Sequence, residues 1–132
     1  MTLFTDTSAL YAVLNAGDNN HPEAKRIWSQ VIERQETLLV TSYVLVELYD
    51  LLASRLGLSA VRAFREAALP ILTVHWVDEQ LHNAGLSLFT GLARRKLSFV
   101  DCVSFEAMRQ VGLSRAFAFD RHFREQGFEL LG

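Results

Sequence analysis

Met1-Thr2-Leu3-Phe4-Thr5-Asp6-Thr7-Ser8-Ala9-Leu10 opens the chain, and its reading decides the fold. A short apolar run stops at Asp6, and a helical pattern begins at Thr7. Strands covered on both faces are near-continuous apolar runs, whereas strands with one wet face alternate. The run therefore predicts a buried parallel strand that ends in a carboxylate and is followed by a helix. In open α/β sheets the ligand crevice lies outside the carboxyl ends of the strands, which is where Asp6 falls. The pattern returns late in the chain, where Ala116-Phe117-Ala118-Phe119 runs into Asp120.

Outward from that opening, strand and helix signals alternate. Residues 7–14 read as a short helix and 15–20 as a polar loop. His21-Pro22 starts a second helix, with proline in the first turn and Ala24, Ile27, Trp28, Val31 and Ile32 at helical spacing. Residues 38–41 read as a strand, with Ser42 as the N-cap of a helix to about residue 55. Ser59 opens another helix and Pro70 stops it. Residues 71–74 form a third strand, and Asp78 opens a helix bearing Leu81, Ala84, Leu88 and Leu92. A basic connection at 94–97 leads to a helix capped by Ser98, which runs to Val111 with Gly112 just past its end. The 116–119 strand, a short helix at 121–126 and a strand at 128–131 finish the chain. This order predicts an α/β fold, with helices on both faces of the sheet.

The length, 132 residues, favours one domain over 1–132 with one core. Half the residues are hydrophobic, which argues against disorder. No apolar run approaches the roughly 20 residues that a membrane span requires, and no basic segment precedes a leader-like apolar stretch. Cys102 is the only cysteine, so no internal disulfide forms and a reducing compartment, the cytoplasm, is expected. The net charge of −2 does not advertise nucleic-acid binding. Its distribution is more informative. With four carboxylates set aside in a metal site, the remainder is net basic, and Arg94, Arg95, Lys96, Arg115, Arg121 and Arg124 lie near the candidate site in sequence. Such residues are either a solvated fringe or a track for a phosphate backbone.

Four acids carry the chemical reading. Asp6 and Asp120 follow strands, where an aspartate is often only the N-cap of the next helix. Glu47 lies on a helix that is apolar nearly all round, in a narrow polar stripe with Asp50 and Ser54. That stripe meets either water or the cleft at the sheet edge. Asp101 has capping-box spacing from Ser98, yet shares a helical row with Phe105 and Met108. A carboxylate on an apolar row costs free energy unless something pairs with it. Two strand ends and two early helical turns can converge on one sheet edge. Four close carboxylates repel, and a hard divalent cation, Mg²⁺ or Mn²⁺, relieves the repulsion. His21, His75, His82 and His122 contain no H-x-x-x-H pair, so zinc is not expected. A hard ion with open positions activates water and stabilises phosphoryl charge, which is phosphodiester chemistry. No Gly-rich phosphate loop and no G-x-S-x-G elbow compete with that reading.

Asp6-Thr7-Ser8-Ala9-Leu10, Thr41-Ser42 followed by Glu47-Leu48, Leu97-Ser98-Phe99-Val100-Asp101, and Phe119-Asp120-Arg121-His122-Phe123 followed by Gly127-Phe128 together resemble the PIN-domain ribonucleases. The resemblance is closest to the VapC toxins of type II toxin–antitoxin pairs. It spans nearly the whole chain and implies a mostly parallel, five-stranded sheet. It also implies Mg²⁺- or Mn²⁺-dependent cleavage of RNA by metal-activated water. By the same resemblance Asp6, Glu47, Asp101 and Asp120 are the catalytic, metal-holding acids. A homodimer and a cognate antitoxin are implied as well. Two departures are visible: Ala118 stands where many relatives have Thr or Ser, and Arg121 and His122 stand where some have a further acid. Arg94, Arg95, Lys96, Arg121 and Arg124 are candidates for holding the RNA backbone. Other functions remain open at this point: a PIN nuclease of RNA processing that is no toxin, a catalytically silent binding module, or a phospho-acceptor signalling domain. The last expects paired acids after the first strand, where this chain has Asp6-Thr7, and a lysine at the last strand, where it has none.

Overall fold

The computed structural model describes residues 1–94 and 96–132. Its strands are β1 (Thr2–Thr5), β2 (Thr37–Thr41), β3 (Leu72–His75), β4 (Arg115–Phe117) and β5 (Glu129–Leu131). They form one sheet in the order β3-β2-β1-β4-β5, and every pairing is parallel. Helices α1 (Thr7–Leu14) and α2 (His21–Glu33) join β1 to β2, and α3 (Ser42–Leu56) and α4 (Leu58–Ala67) join β2 to β3. Helices α5 (Glu79–Leu92) and α6 (Phe99–Val111) join β3 to β4, and α7 (His122–Glu125) joins β4 to β5. The expected α/β sheet is thus present, and it is parallel throughout.

The strand order positions the site. From β1 the chain steps outward to β2 and β3, then crosses back to the other side of β1 for β4 and β5. Right-handed crossovers then place α1–α4 on one face and α5–α7 on the other. The reversal falls between β1 and β4, so a crevice opens at their carboxyl ends. Asp6 and Asp120 follow those two strands.

The inner strands lack alternation because both faces are covered. Leu3, Phe4, Leu38, Val40, Ala116 and Phe117 are all fully buried. Phe123 of α7 packs on Phe4 at a centroid distance of 6.0 Å and edge-on to Phe105 of α6 at 4.9 Å. Such pairs add about 0.5–1.5 kcal/mol beyond their buried area.

Several boundaries differ from the sequence expectations for local reasons. Thr41, not Ser42, caps α3: its hydroxyl accepts from Val44 N at 3.1 Å. Ser42 is already helical, and its hydroxyl instead accepts from Val77 N at 2.9 Å, tying α3 to the loop after β3. Gly57, with φ +89°, precedes α4, which begins at Leu58 rather than Ser59. Ile71 belongs to a 3₁₀ turn, so β3 starts one residue later than expected. β4 stops at Phe117 because its neighbour β1 ends where α1 turns away. Phe128 N donates to Phe123 O at 3.0 Å, in the turn after α7, which delays β5 to Glu129. Among the described residues, no helix is long and apolar enough to cross a membrane.

Helices α5 and α6 make close contact at Gly85. A Cβ there would lie 2.5 Å from Val103 Cγ2 and 3.0 Å from Val103 Cα. Alanine gains about 1 kcal/mol of helix propensity over glycine, but overpacking costs about 1–3 kcal/mol. One of the contacts is backbone and cannot rotate away. Gly85→Ala is therefore expected to lower the thermal midpoint; an unchanged or raised midpoint would show that the helices have room to separate.

Candidate active site

Asp6 leaves β1 in an extended conformation and caps α1. Its Oδ2 accepts from Ser8 N at 3.2 Å and Ser8 Oγ at 2.7 Å. Asp101 sits in the first turn of α6 in a reciprocal capping box: Ser98 Oγ accepts from Asp101 N at 3.0 Å, and Asp101 Oδ2 accepts from Ser98 N at 3.3 Å. Asp120 Oδ1 accepts from His122 N at 2.9 Å. The capping roles anticipated for Asp6 and Asp101 are thus real, whereas the N-cap of α7 is Arg121 and Asp120 only closes the turn before it. Each cap engages one carboxylate oxygen. Among the described residues the other oxygen of each aspartate accepts no hydrogen bond within the chain.

All four predicted acids line one cleft of about 1040 Å³ at the carboxyl edge of the sheet. Asp50 and Ser54 line it too, so the polar stripe of α3 faces the cleft. Asp6 is 3% exposed and Asp101 7%. Burial, then the charge of Asp101, pushes the Asp6 carboxyl up to about 7; the two bonds from Ser8 oppose this and Glu47 adds to it. Burial, then the charge of Asp120, pushes Asp101 up to about 6, against the bonds from Ser98 and with a smaller push from Glu47. The four carboxylates therefore act on one another electrostatically.

A hard cation fits this donor set. All the donors are oxygens, and Asp6 Oδ1 is buried without a hydrogen-bond partner. The hydroxyls of its neighbours Thr5 and Thr7 are buried and unpartnered as well. Buried polar atoms are normally satisfied, and a cluster of exceptions at one strand end marks a place where an ion or water belongs. Among the described residues no three His, Cys, Asp or Glu side chains are grouped closely enough to hold a metal ion as they stand.

A second groove, lined by Arg94, Lys96, Arg121, His122, Arg124 and Glu125, meets the acid cleft at Arg121. Arg94, Lys96, Arg121 and Arg124 of the predicted basic set thus come together; Arg95 lies outside the described residues. Arg115 does not join them. It starts β4, at the opposite edge, and pairs with Glu36 at 2.7 Å. Glu125 accepts from Arg94 at 3.2 Å and His122 Nδ1 at 2.8 Å, holding the basic connection against α7. Ser8 is the site residue that the sequence reading passed over. A hydroxyl two residues after a capping aspartate was the available signal.

The chain matches the model of the PIN domain over residues 3–129. It is 36% identical over 129 residues to VapC20 of Mycobacterium tuberculosis, named as a 23S rRNA-specific endonuclease, covering 96% of this chain and 95% of that protein. The crystal structure of VapC20, described as a sarcin–ricin-loop-cleaving toxin, superposes with a TM-score of 0.84 at 34% identity, covering 96% and 95% of the two chains. VapBC2 from Rickettsia felis, bound to a DNA fragment of its promoter, gives a TM-score of 0.72 at 13% identity over 98% of this chain and 97% of that one. FitAcB from Neisseria gonorrhoeae gives 0.70 at 15% identity over 100% and 97%. Those two likenesses concern the fold alone.

The raised carboxyls fix the sign of a pH effect in metal-free protein. Asp6 and Asp101, raised to about 7 and about 6 from the ordinary aspartate value of 3.8, hold protons that the unfolded chain has released. Their contribution to stability is fully present below the unfolded value and is lost as pH rises toward 7, by roughly 1 kcal/mol per pH unit for each extra proton held. In EDTA, the denaturant midpoint should fall between pH 5 and pH 7. Asp6→Asn, neutral at every pH, should flatten that fall; a midpoint that rises over this range contradicts the assignment.

Proposed function

This chain belongs to the PIN-domain family, and from that premise we propose that it is a divalent-metal-dependent endoribonuclease, the toxin of a type II toxin–antitoxin pair. The observation that carries the reading is the convergence of Asp6, Glu47, Asp101 and Asp120 on one cleft at the carboxyl edge of the sheet. Asp6, Glu47 and Asp101 would hold Mg²⁺ or Mn²⁺, with Asp120 completing the set. A cation bound there supplies Lewis-acid activation of water and charge stabilisation on phosphoryl oxygens.

The chain's own residues do the rest. Asp6 is held through Oδ2, which leaves Oδ1 as its ligand atom. Ser98 does the same for Asp101, fixing one oxygen through its N–H. The buried ends of β1 and β4 give Asp6 and Asp120 rigid mounts. Lys96, Arg121 and Arg124 line the groove that leads into the cleft and would track the RNA backbone; Arg94 is available once phosphate competes with Glu125. A phosphodiester chain in this groove passes the acids at Arg121, the residue shared by both cavities.

The identity with VapC20 extends over nearly the whole of both chains. It supports ribosomal RNA as the substrate, with the sarcin–ricin loop as the first site to test. A cognate antitoxin and a second copy of this chain complete the proposed assembly. An apolar groove of Tyr43, Val46, His82, Phe99 and Val100 shares Glu47 with the acid cleft and offers a partner a surface to bury. The phospho-acceptor alternative is set aside with the family assignment. A PIN fold that only binds RNA would leave the substrate intact in the following assay.

Purified protein incubated with ribosomes and Mn²⁺ should cut ribosomal RNA once, at a position mapped by primer extension. EDTA should abolish the cut, and intact RNA under all conditions would overturn the proposal. Asp6→Asn and Asp101→Asn should each lower the cleavage rate at least about 100-fold, since even residues that only support a metal ligand cost 10–100-fold. Their circular dichroism should match the parent protein. Lys96→Ala and Arg124→Ala should weaken RNA binding, each reducing the slope of log affinity against log salt by about 0.7. Unchanged slopes would remove the groove from the RNA path.

A further inference from the structure

Strands β1 and β4 run side by side until Asp6, whose N–H donates to Phe117 O at 3.0 Å. Beyond that point α1 turns away from the sheet, and the next N–H that faces β1 across the ladder, that of Phe119, has lost its strand partner. Ser8 supplies the replacement: its Oγ accepts from Phe119 N at 3.0 Å. The same Oγ donates to Asp6 Oδ2 at 2.7 Å. One hydroxyl thus uses its donor on the acid after β1 and an acceptor site on the segment that carries the acid after β4.

We propose that Ser8 is a positioning residue that sets the metal-holding geometry of Asp6 and Asp120 together; this rests on the metal-site reading given above. Two donors from Ser8, N and Oγ, occupy Oδ2 of Asp6 and fix its carboxylate plane. The oxygen left over, Oδ1, is the buried atom without a partner. At the other end of the bridge, Phe119 is followed directly by Asp120, so the bond to Phe119 N fixes where Asp120 leaves the sheet. No other side-chain group takes up Phe119 N among the described residues, and Ala118 beside it has no hydroxyl to offer. Removing the Ser8 hydroxyl leaves the Asp6 carboxylate held by the Ser8 N–H alone and leaves the Phe119 N–H unpaired. The acids remain present but are no longer held at one spacing.

The consequence is read on metal binding, with RNA absent. Mn²⁺ titrated calorimetrically into the parent protein, Ser8→Ala and Ser8→Thr should give an affinity about tenfold or more weaker for Ser8→Ala. Ser8→Thr keeps the hydroxyl and should recover most of the loss. Thermal melts in EDTA run alongside, at titration temperatures well below the midpoint. A purely structural serine would lower the melting midpoint of Ser8→Ala and leave the affinity of the folded protein unchanged; that result overturns the proposal. So does equal weakening in Ser8→Ala and Ser8→Thr. If the parent binds no Mn²⁺ at all, the metal-site reading falls and the role of Ser8 with it. If Ser8→Ala alone retains parental binding, only the role of Ser8 falls.

Discussion

Asp6 and Asp101, both buried in the wall of one cleft, repel one another, and much of the molecule either creates that repulsion or contains it. Burial is the larger cause of both raised carboxyls, and neighbouring charge is the second. A fold selected only for stability would place amides or apolar groups at these positions. The strand order leaves the chain little choice of location. Reversal of direction between β1 and β4 opens the crevice, and the residues just past those strands must line it.

The capping interactions show how the acids are tolerated and aimed. A carboxylate at a helix N-terminus is favoured by the local field and by unpaired N–H groups. Asp6 caps α1 and Asp101 closes the box at the start of α6, so each recovers part of its burial cost through one oxygen. The second oxygen of each is left without a hydrogen bond among the described residues. Structural and functional explanations of these residues are therefore not rivals: the cap fixes the rotamer on which a ligand role depends. The basic groove balances the charge at a distance. Among the described residues its cations lie beside the acid cleft and meet it at Arg121, which lets them steer an anionic chain toward the acids.

Most of this architecture was legible in the sequence because its signals are local. The apolar runs before Asp6 and Asp120, Asp78 at the start of α5, and Ser98 with Gly112 bracketing α6 each reflect one physical requirement. The polar stripe of Glu47, Asp50 and Ser54 on an otherwise apolar helix left water and the cleft open as alternatives, and the stripe lines the cleft. What local reading missed depends on partners remote in the chain. Thr41 caps α3 because Ser42 is engaged by Val77, and β4 ends early because β1 has stopped beside it. Arg115 lies close in sequence to the candidate basic residues, yet it enters β4 from the far edge of the sheet and pairs with Glu36. Ser8 was passed over for the same reason, since its second contact is with Phe119, more than a hundred positions away. No local pattern names an RNA, and the substrate proposed for this chain rests on likeness over its whole length.

The central claim is that these acids share a cleft because a hard cation occupies it. The most direct test is anomalous scattering at the manganese edge from crystals of this protein grown with Mn²⁺. The account predicts a peak bounded by Asp6, Glu47 and Asp101, with Asp120 beside it. Well-ordered crystals in which that cleft shows no peak at saturating Mn²⁺, or in which manganese sits elsewhere on the molecule, would contradict it.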